Sequence, residues 1–563
     1  MDNNQERIRQ IEKEVDAFLF NELNGDIPRY KFIYHMNLAY IDFVVGKGVL
    51  FSIAEKHFLF SLSYNIFLAY KKLPEEEVMD FSWDEKLYKY CLKFLMKGMQ
   101  YSILCDMFPV LYSNKAEAII DEKSRMFVVK ETTPPRQYHD FISKYTIRKT
   151  LSYTLQMVSG ILNNKSEEEA TLALTKQYMN FWNENMLHDD FESYSMQDWA
   201  GVTMFITQAA MRRFTKLYRA DFDMRKIHPS QMMVVFSPEG RKKLSEYTTS
   251  NNSESVDQIL DDFIYKPIGN GLFPKSNIFD APIIQTKDGY LLVNPFVFLF
   301  NDSNETRLLN NLRKYDNARY QRTKDKLKER AIPIIESLVK MKYPAAHVVT
   351  NFQLPIPNKK KKKRELDILI IDKETGFVLY IEVKHFFNPI SYSETKNLDK
   401  QLQEALDKTS DQLYAIEENW DLIKDRYGIE TDLKIKKAII LSHQYLGRDV
   451  EIHEEVPIVD ISTFYESLAN SGTIEELYLA NKEIDDVYSN ISIKSSELIL
   501  DFAGYKFPRE LEYLDPQFET ELIKSFRKIV WEGIDLTGNK GYKSVEEYAS
   551  ALLEKLQAKN GSR

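Results

Sequence analysis

The sequence predicts an α+β protein of more than one domain: a mostly helical N-terminal region, then a compact α/β module with a mixed central sheet, then a helical C-terminal region. Three observations carry this expectation. At 563 residues the chain is too long for one hydrophobic core, which favours about two to four domains. Apolar residues recur at spacings of three and four through most of the first 245 residues. Between residues 322 and 461, short runs rich in β-branched and aromatic residues, bounded by turn residues, are interleaved with helical spacing.

In the N-terminal region, 1–247, the helical pattern is clearest over 8–23, 87–104, 147–162 and 172–187, with breaks at Pro134-Pro135 and around His188-Asp189-Asp190. A short apolar strand at 232–236 closes it, and the polar stretch 248–254 reads as a surface loop. A connecting segment, 266–320, opens with Pro267, Gly269, Gly271 and Pro274. It continues with a hairpin, 282–285 and 290–293, turned by Lys287-Asp288-Gly289, before helical spacing resumes at Glu305.

The α/β module, 321–465, begins with a helix over 322–341 and a strand over 347–354 that ends at Pro355-Ile356-Pro357. Five consecutive lysines, Lys359, Lys360, Lys361, Lys362 and Lys363, then run through Arg364 into two β-rich segments, 365–372 and 377–384, joined by Lys373-Glu374-Thr375-Gly376. A long amphipathic helix over 398–423 and strands at 437–442 and 456–461 complete the order α-β-β-β-α-β-β. Residues 470–563 read as mainly helical.

The hairpin carries the chemistry. If its turn is symmetric about residues 374 and 375, Asp367 falls opposite Glu382, and directly opposed Cβ atoms on one sheet face lie roughly 4.5–5.5 Å apart. Two carboxylates held that close need a cation between them. Side chains alternate with period two, so Lys384 points to the same face as Glu382. Two carboxylates and an ammonium on one sheet face outline a divalent-metal hydrolysis site. His385 points to the other face, where a structural role is preferred.

Helix, three-stranded meander, helix and strand, with Asp367 on the second strand and Glu382-Val383-Lys384 on the third, resembles the restriction-endonuclease-like fold of the PD-(D/E)XK nuclease superfamily. The resemblance covers residues 322–461. It implies phosphodiester hydrolysis with Mg2+ or Mn2+ as cofactor. Asp367, Glu382 and the backbone carbonyl of Val383 then serve as oxygen ligands, and Lys384 orients or deprotonates the attacking water or neutralises the developing oxyanion. An acidic residue on the first helix often joins such sites, and Glu329 occupies that place, with Glu336 as a rival on a similar helix face. One departure is plain: the family's Pro-Asp is Glu365-Leu366-Asp367 here, so Glu365, on the same face, competes with Asp367 for the metal. In the following helix Lys408 and Gln412, one turn apart, either face the cleft, as polar residues of this helix do in related nucleases, or belong to a solvated face.

Charge distribution names the partner. From Arg322 to Arg364, 13 Lys and Arg stand against 3 Asp and Glu, a net of about +10, while the remaining 62 basic and 81 acidic residues carry about −19. A basic patch on an acidic body directs a polyanion to one face, with Lys359 to Lys363 and Arg364 as phosphate contacts. DNA is favoured over RNA, because no RNA-recognition aromatic motif is present. No apolar run approaches the ~18 residues of a membrane span, so no membrane partner is expected. The start lacks a basic-then-apolar signal pattern, and Cys91 and Cys105 are the only cysteines, which together suggest the cytoplasm. The nine histidines show no zinc-ligand spacing.

These readings converge on a metal-dependent DNA endonuclease, with the helical N-terminal region as a regulatory, sensing or oligomerisation part. By family analogy the role is one such as restriction or antiphage defence. Two nicks on a duplex are most simply made by a homo-oligomer. The alternative is a nucleic-acid-binding or scaffold protein whose nuclease fold has lost activity.

Overall fold

In the computed structural model, the described residues are 3–46, 54–112, 116–131, 166–182, 193–220, 227–248, 253–300, 304–355, 363–386, 389, 392–443, 445–447, 450, 455–489 and 493–514. The chain divides into two compact units. The first takes Met1–Pro134, Tyr145–Lys324 and Ser496–Leu511; the second takes Pro135–Lys144, Asp325–Ser495 and Glu512–Arg563. Each belongs to an α+β protein whose N-terminal part is mostly helical. Among the described residues no helix is long and apolar enough to cross a membrane.

The first unit is led by helices Asn3–Glu22, Arg29–Gly46, Ala54–Lys72 and Glu85–Cys105. In Arg29–Gly46 the run from Phe32 to Ile41 is buried at every residue, including His35 and Asn37, so this helix is surrounded by its neighbours instead of showing one apolar stripe. Asp84 caps Glu85–Cys105 by accepting from the amides of Lys86 and Leu87, both at 3.0 Å. The helix expected over 172–187 is Glu167–Trp182, beside Met196–Arg219. The helix expected over 147–162 and the breaks at Pro134 and His188 lie outside the described residues. The hairpin Ile283–Gln285 and Leu291–Val293 forms as expected, with Gly289 at a φ of +88°, and gains Val234–Phe236 as a third strand.

The expectation for the C-terminal region needs correction. Residues 493–514, expected helical, form strands Ile493–Phe502 and Tyr505–Leu514, and the largely helical N-terminal region contains strands Ala116–Asp121 and Met126–Glu131. These four make one sheet, in which Tyr505–Leu514 runs parallel to Met126–Glu131. Its two tight connections use residues with positive φ, Arg125 at +51°, Ala503 at +52° and Gly504 at +78°. Only the glycine among them announces such a turn.

The helix α1 (Asn317–Lys342), which belongs to the second unit from Asp325 onward, leads into strands β1 (His347–Pro355), β2 (Lys363–Ile371) and β3 (Phe377–Lys384). Helices α2 (Tyr392–Glu418) and α3 (Trp420–Tyr427) follow, then β4 (Ile435–Ser442), β5 (Ile458–Asp460), α4 (Ile461–Asn470) and α5 (Ile474–Ser489). The single helix expected over 398–423 is thus two. Asn419 leaves helical geometry at φ −109°, ψ 17°, and its Nδ2 bonds back to the Ala415 carbonyl at 2.7 Å.

The sheet order is β5-β4-β3-β2-β1 and the sheet is mixed: β1, β2 and β3 are antiparallel neighbours, whereas β3, β4 and β5 run parallel. Parallel strands need a crossover, and α2 and α3 supply it between β3 and β4. Every residue of β3 from Phe377 to Val383 is buried, as befits a central strand covered on both faces. Thr350 pairs with Ile368, and its Oγ1 donates to Glu336 of α1 at 3.1 Å. Phe377, on that same face, meets Tyr478 of α5 with ring centroids 6.4 Å apart. The opposite face, bearing Val378, Tyr380 and Glu382, is met by α2 through Gln412.

Candidate active site

The β2–β3 ladder runs from Val378↔Ile371 to Ile381↔Ile368. Asp367 and Glu382 are the next facing position, the register expected from a turn symmetric about residues 374 and 375. The turn is held by Asp372, which accepts from the amide of Glu374 at 2.9 Å and from the Thr375 hydroxyl at 2.7 Å, and by Gly376 at a φ of +74°.

Both carboxylates are buried, Asp367 at 5% and Glu382 at 7% exposure. A buried carboxylate is costly unless donors surround it. Oδ2 of Asp367 accepts from the amide of Val383 at 2.9 Å. Oε1 of Glu382 receives the ammonium of Lys384; Oε2 receives the hydroxyl of Tyr380 and, at 3.4 Å, the amide of Gln412. Lys384, from the same face of β3, thus supplies a cation to Glu382, while a backbone amide donates to Asp367. Tyr380, Glu382 and Lys384 are the only polar residues of that strand, and alternation gathers all three on one side.

Tyr380 was not foreseen as a site residue. Its ring reads as core, and only its period-two relation to Glu382 signals otherwise. Burial, then the charges of Glu382 and Asp367 and the hydrogen bond to Glu382, push its phenol well above the ordinary value, against an opposing hydrogen bond from the Asp367 backbone. Two further buried atoms lie on this side of the sheet without a hydrogen-bond partner among the described residues: Oε1 of Gln412, and Oγ of Ser442, whose residue pairs with Lys384 across β3 and β4. Polar atoms left bare in a core are uncommon.

The other expected residues separate clearly. Glu365 is exposed and accepts from Gln353, its partner across the β1–β2 ladder, at 3.0 Å. That ladder is interrupted at Asn351, which takes a φ of +51° opposite Asp367. Glu336 is engaged by Lys340 and Thr350 on the other face of the sheet. Glu329 lies within α1, but its side chain is outside the described residues. Gln412 reaches Glu382, whereas Lys408, one turn earlier, is exposed. Arg364 is paired with Asp411 of α2 at 2.5 Å. Lys359, Lys360, Lys361 and Lys362 lie outside the described residues, as does the side chain of Lys363. His385 stacks on His443 with centroids 4.6 Å apart, and burial lowers the His443 pKa to about 4.

Among the described residues no three His, Cys, Asp or Glu side chains form a metal-binding group. The oxygen donors at hand are those of Asp367 and Glu382, together with the bare amide oxygen of Gln412. No family model, no curated protein and no solved structure matches this chain.

Proposed function

We propose that the second unit is a divalent-metal-dependent nuclease of the PD-(D/E)XK kind, built on a restriction-endonuclease-like module and acting on DNA. The observation that carries this reading is the pair of buried carboxylates at facing positions of one hairpin, Asp367 and Glu382, with the ammonium of Lys384 on the same sheet face. Buried ion pairs are often no more stabilising than apolar residues of similar volume, so a buried acid pair in the central hairpin of the sheet favours a chemical role. The donor set suits Mg2+ or Mn2+, hard cations that take oxygen ligands and keep several waters. Asp367 and Glu382 would hold the ion, with the Val383 carbonyl as a third oxygen. Bound there, the metal supplies a water of lowered pKa and withdraws charge from the attacked phosphate. Lys384 keeps a compact positive charge beside the reacting phosphate, and Gln412 steadies Glu382.

The basic segment 322–364 on an otherwise acidic chain supports a polyanionic substrate. A role in restriction or antiphage defence, in the cytoplasm, rests on the family resemblance alone. Incubation of linear, circular and single-stranded DNA and of RNA with Mg2+, Mn2+ or EDTA tests the reading. Cleavage is expected to need the metal and to be lost in Asp367→Ala, Glu382→Ala and Lys384→Ala proteins with unchanged circular dichroism. Undiminished cleavage by all three variants sinks it. Salt-sensitive binding by the wild type without any cleavage points instead to a binding module that has lost its chemistry.

A further inference from the structure

The two oxygens of Glu382 are treated differently by the fold. Oε2 is fixed from within: the hydroxyl of Tyr380, a residue with no solvent exposure, donates to it, and Gln412, itself 6% exposed, approaches it at 3.4 Å from α2. Oε1 faces the ammonium of Lys384, whose side chain keeps 26% of its exposure, more than Tyr380, Glu382 or Gln412. The amide of Gln412 is oriented by its contact with Glu382 together with a second, from Nε2 to the Glu365 carbonyl at 3.4 Å. With Nε2 turned to the carboxylate, Oε1 of Gln412 is left buried and bare.

We propose that Tyr380 is a positioning residue that locks Oε2 of Glu382, so that Oε1 alone is presented to a cation, the Lys384 ammonium in the metal-free protein and a divalent metal in the loaded one. This rests on the nuclease reading above and assigns Tyr380 and Lys384 opposite effects on metal affinity. Tyr380 acts through Glu382, in the manner of groups that orient a ligand by hydrogen bonding to its far oxygen. Lys384 competes for Oε1, so the metal displaces the ammonium from the carboxylate and frees it to face a phosphate. Two cations a few ångströms apart repel, which makes the exchange mutually exclusive at that oxygen.

The test is Mn2+ binding to the full chain, followed by the electron paramagnetic resonance of free Mn2+, with no nucleic acid present. Wild type is compared with Tyr380→Phe, Lys384→Met and Glu382→Gln, and thermal unfolding is recorded for each. Tyr380→Phe is expected to weaken Mn2+ by about tenfold, as loss of an orienting partner does. Lys384→Met is expected to tighten it severalfold, and Glu382→Gln to abolish it. Unchanged affinity in Tyr380→Phe and Lys384→Met, while Glu382→Gln abolishes binding, overturns this inference and leaves the nuclease reading standing. No Mn2+ binding by the wild type, or equal binding by Glu382→Gln, overturns both. If Tyr380→Phe fails to fold, the direction of the Lys384→Met effect still decides, since a purely structural lysine would leave affinity unchanged and an auxiliary ligand-orienting one would weaken it.

Discussion

The amide of Val383 donates to Oδ2 of Asp367 across the hairpin at 2.9 Å, while Glu365, two residues earlier on the same strand, is exposed and bonds Gln353 at 3.0 Å. The two acids that the sequence leaves as rivals are thus unequal in burial and in partners. Glu365→Ala is expected to change stability by less than about 0.5 kcal/mol, as surface substitutions do, and to leave metal-dependent cleavage nearly intact. Asp367→Ala strips the buried Val383 amide of its acceptor and is expected to cost about 1–3 kcal/mol. It should also remove cleavage altogether. Urea denaturation beside a cleavage assay checks both, and equal loss of cleavage in the two variants would transfer the ligand role to Glu365.

The turn that sets this register is also vulnerable. Gly376 sits at a φ of +74°, and a Cβ there would lie 2.4 Å from the carbonyl oxygen of Asp432, whose segment follows α3. The Gly376 carbonyl in turn accepts from the amide of Lys434 at 3.0 Å. A side chain would meet both backbone strain and a backbone wall. Gly376→Ala is expected to destabilise the second unit by about 2 kcal/mol or more. A denaturation midpoint unmoved from wild type would show that the turn relaxes without cost.

How much of this was legible beforehand follows from the range of each signal. The hairpin announces itself locally, through a four-residue turn ending in Gly376 and period-two alternation on both sides, so the facing of Asp367 and Glu382 could be read from residue numbers. The sheet joining 116–131 to 493–514 could not. Its strands are brought together from opposite ends of the chain, and Ala503 gives no hint that it will adopt a positive φ. Tyr380 escaped notice because a tyrosine on a buried strand has an apolar body, and its polar tip matters only once Glu382 is known to lie beside it. The exposure of Lys408 against the burial of Gln412 likewise depends on how α2 is rotated on the sheet, which helical spacing alone leaves open.

His443 makes stability depend on pH. Burial lowers its pKa from 6.5 to about 4, so between those values the unfolded chain holds a proton that the folded chain does not. Stability from this group is therefore full above pH 6.5 and is lost as the pH falls towards 4. The ring keeps partial solvent contact, which limits the effect to about 1–2 kcal/mol. His443→Phe, which preserves a ring against His385, should flatten the slope of unfolding free energy between pH 7 and 5. An identical slope in the variant would assign the dependence elsewhere.

Asp16 in the first unit has the opposite sign. Its carboxyl accepts from Tyr101 at 3.0 Å, yet burial raises its pKa from 3.8 to about 6. Here the folded chain holds the extra proton, so stability falls as the pH rises from 4 to 6 and stays reduced above. Asp16→Asn removes the charge while keeping an acceptor for Tyr101. It is expected to raise stability at pH 8 by about 1 kcal/mol, after discounting for partial exposure, and to change little at pH 4. A variant less stable than wild type at pH 8 would mean that the carboxylate is satisfied when charged.

The last prediction separates phosphate contact from chemistry. Lys359 to Lys362 immediately precede in sequence β2, the strand that begins at Lys363 and carries Asp367, whereas Arg364 is committed to Asp411. Each phosphate neutralised by a lysine contributes about 0.9 to the slope of log affinity against log salt on duplex DNA. Replacing Lys359, Lys360, Lys361 and Lys362 by Ala should therefore reduce that slope by up to about 4 and weaken binding uniformly across sequences. Arg364→Ala should change it by less than about 1, because its guanidinium already has a carboxylate partner. Mn2+ affinity should be unaffected in both proteins, since neither change touches Glu382 or Asp367. Fluorescence anisotropy of labelled duplex at several salt concentrations reads the slopes, and a quadruple variant with the wild-type slope would remove the lysine run from the substrate path.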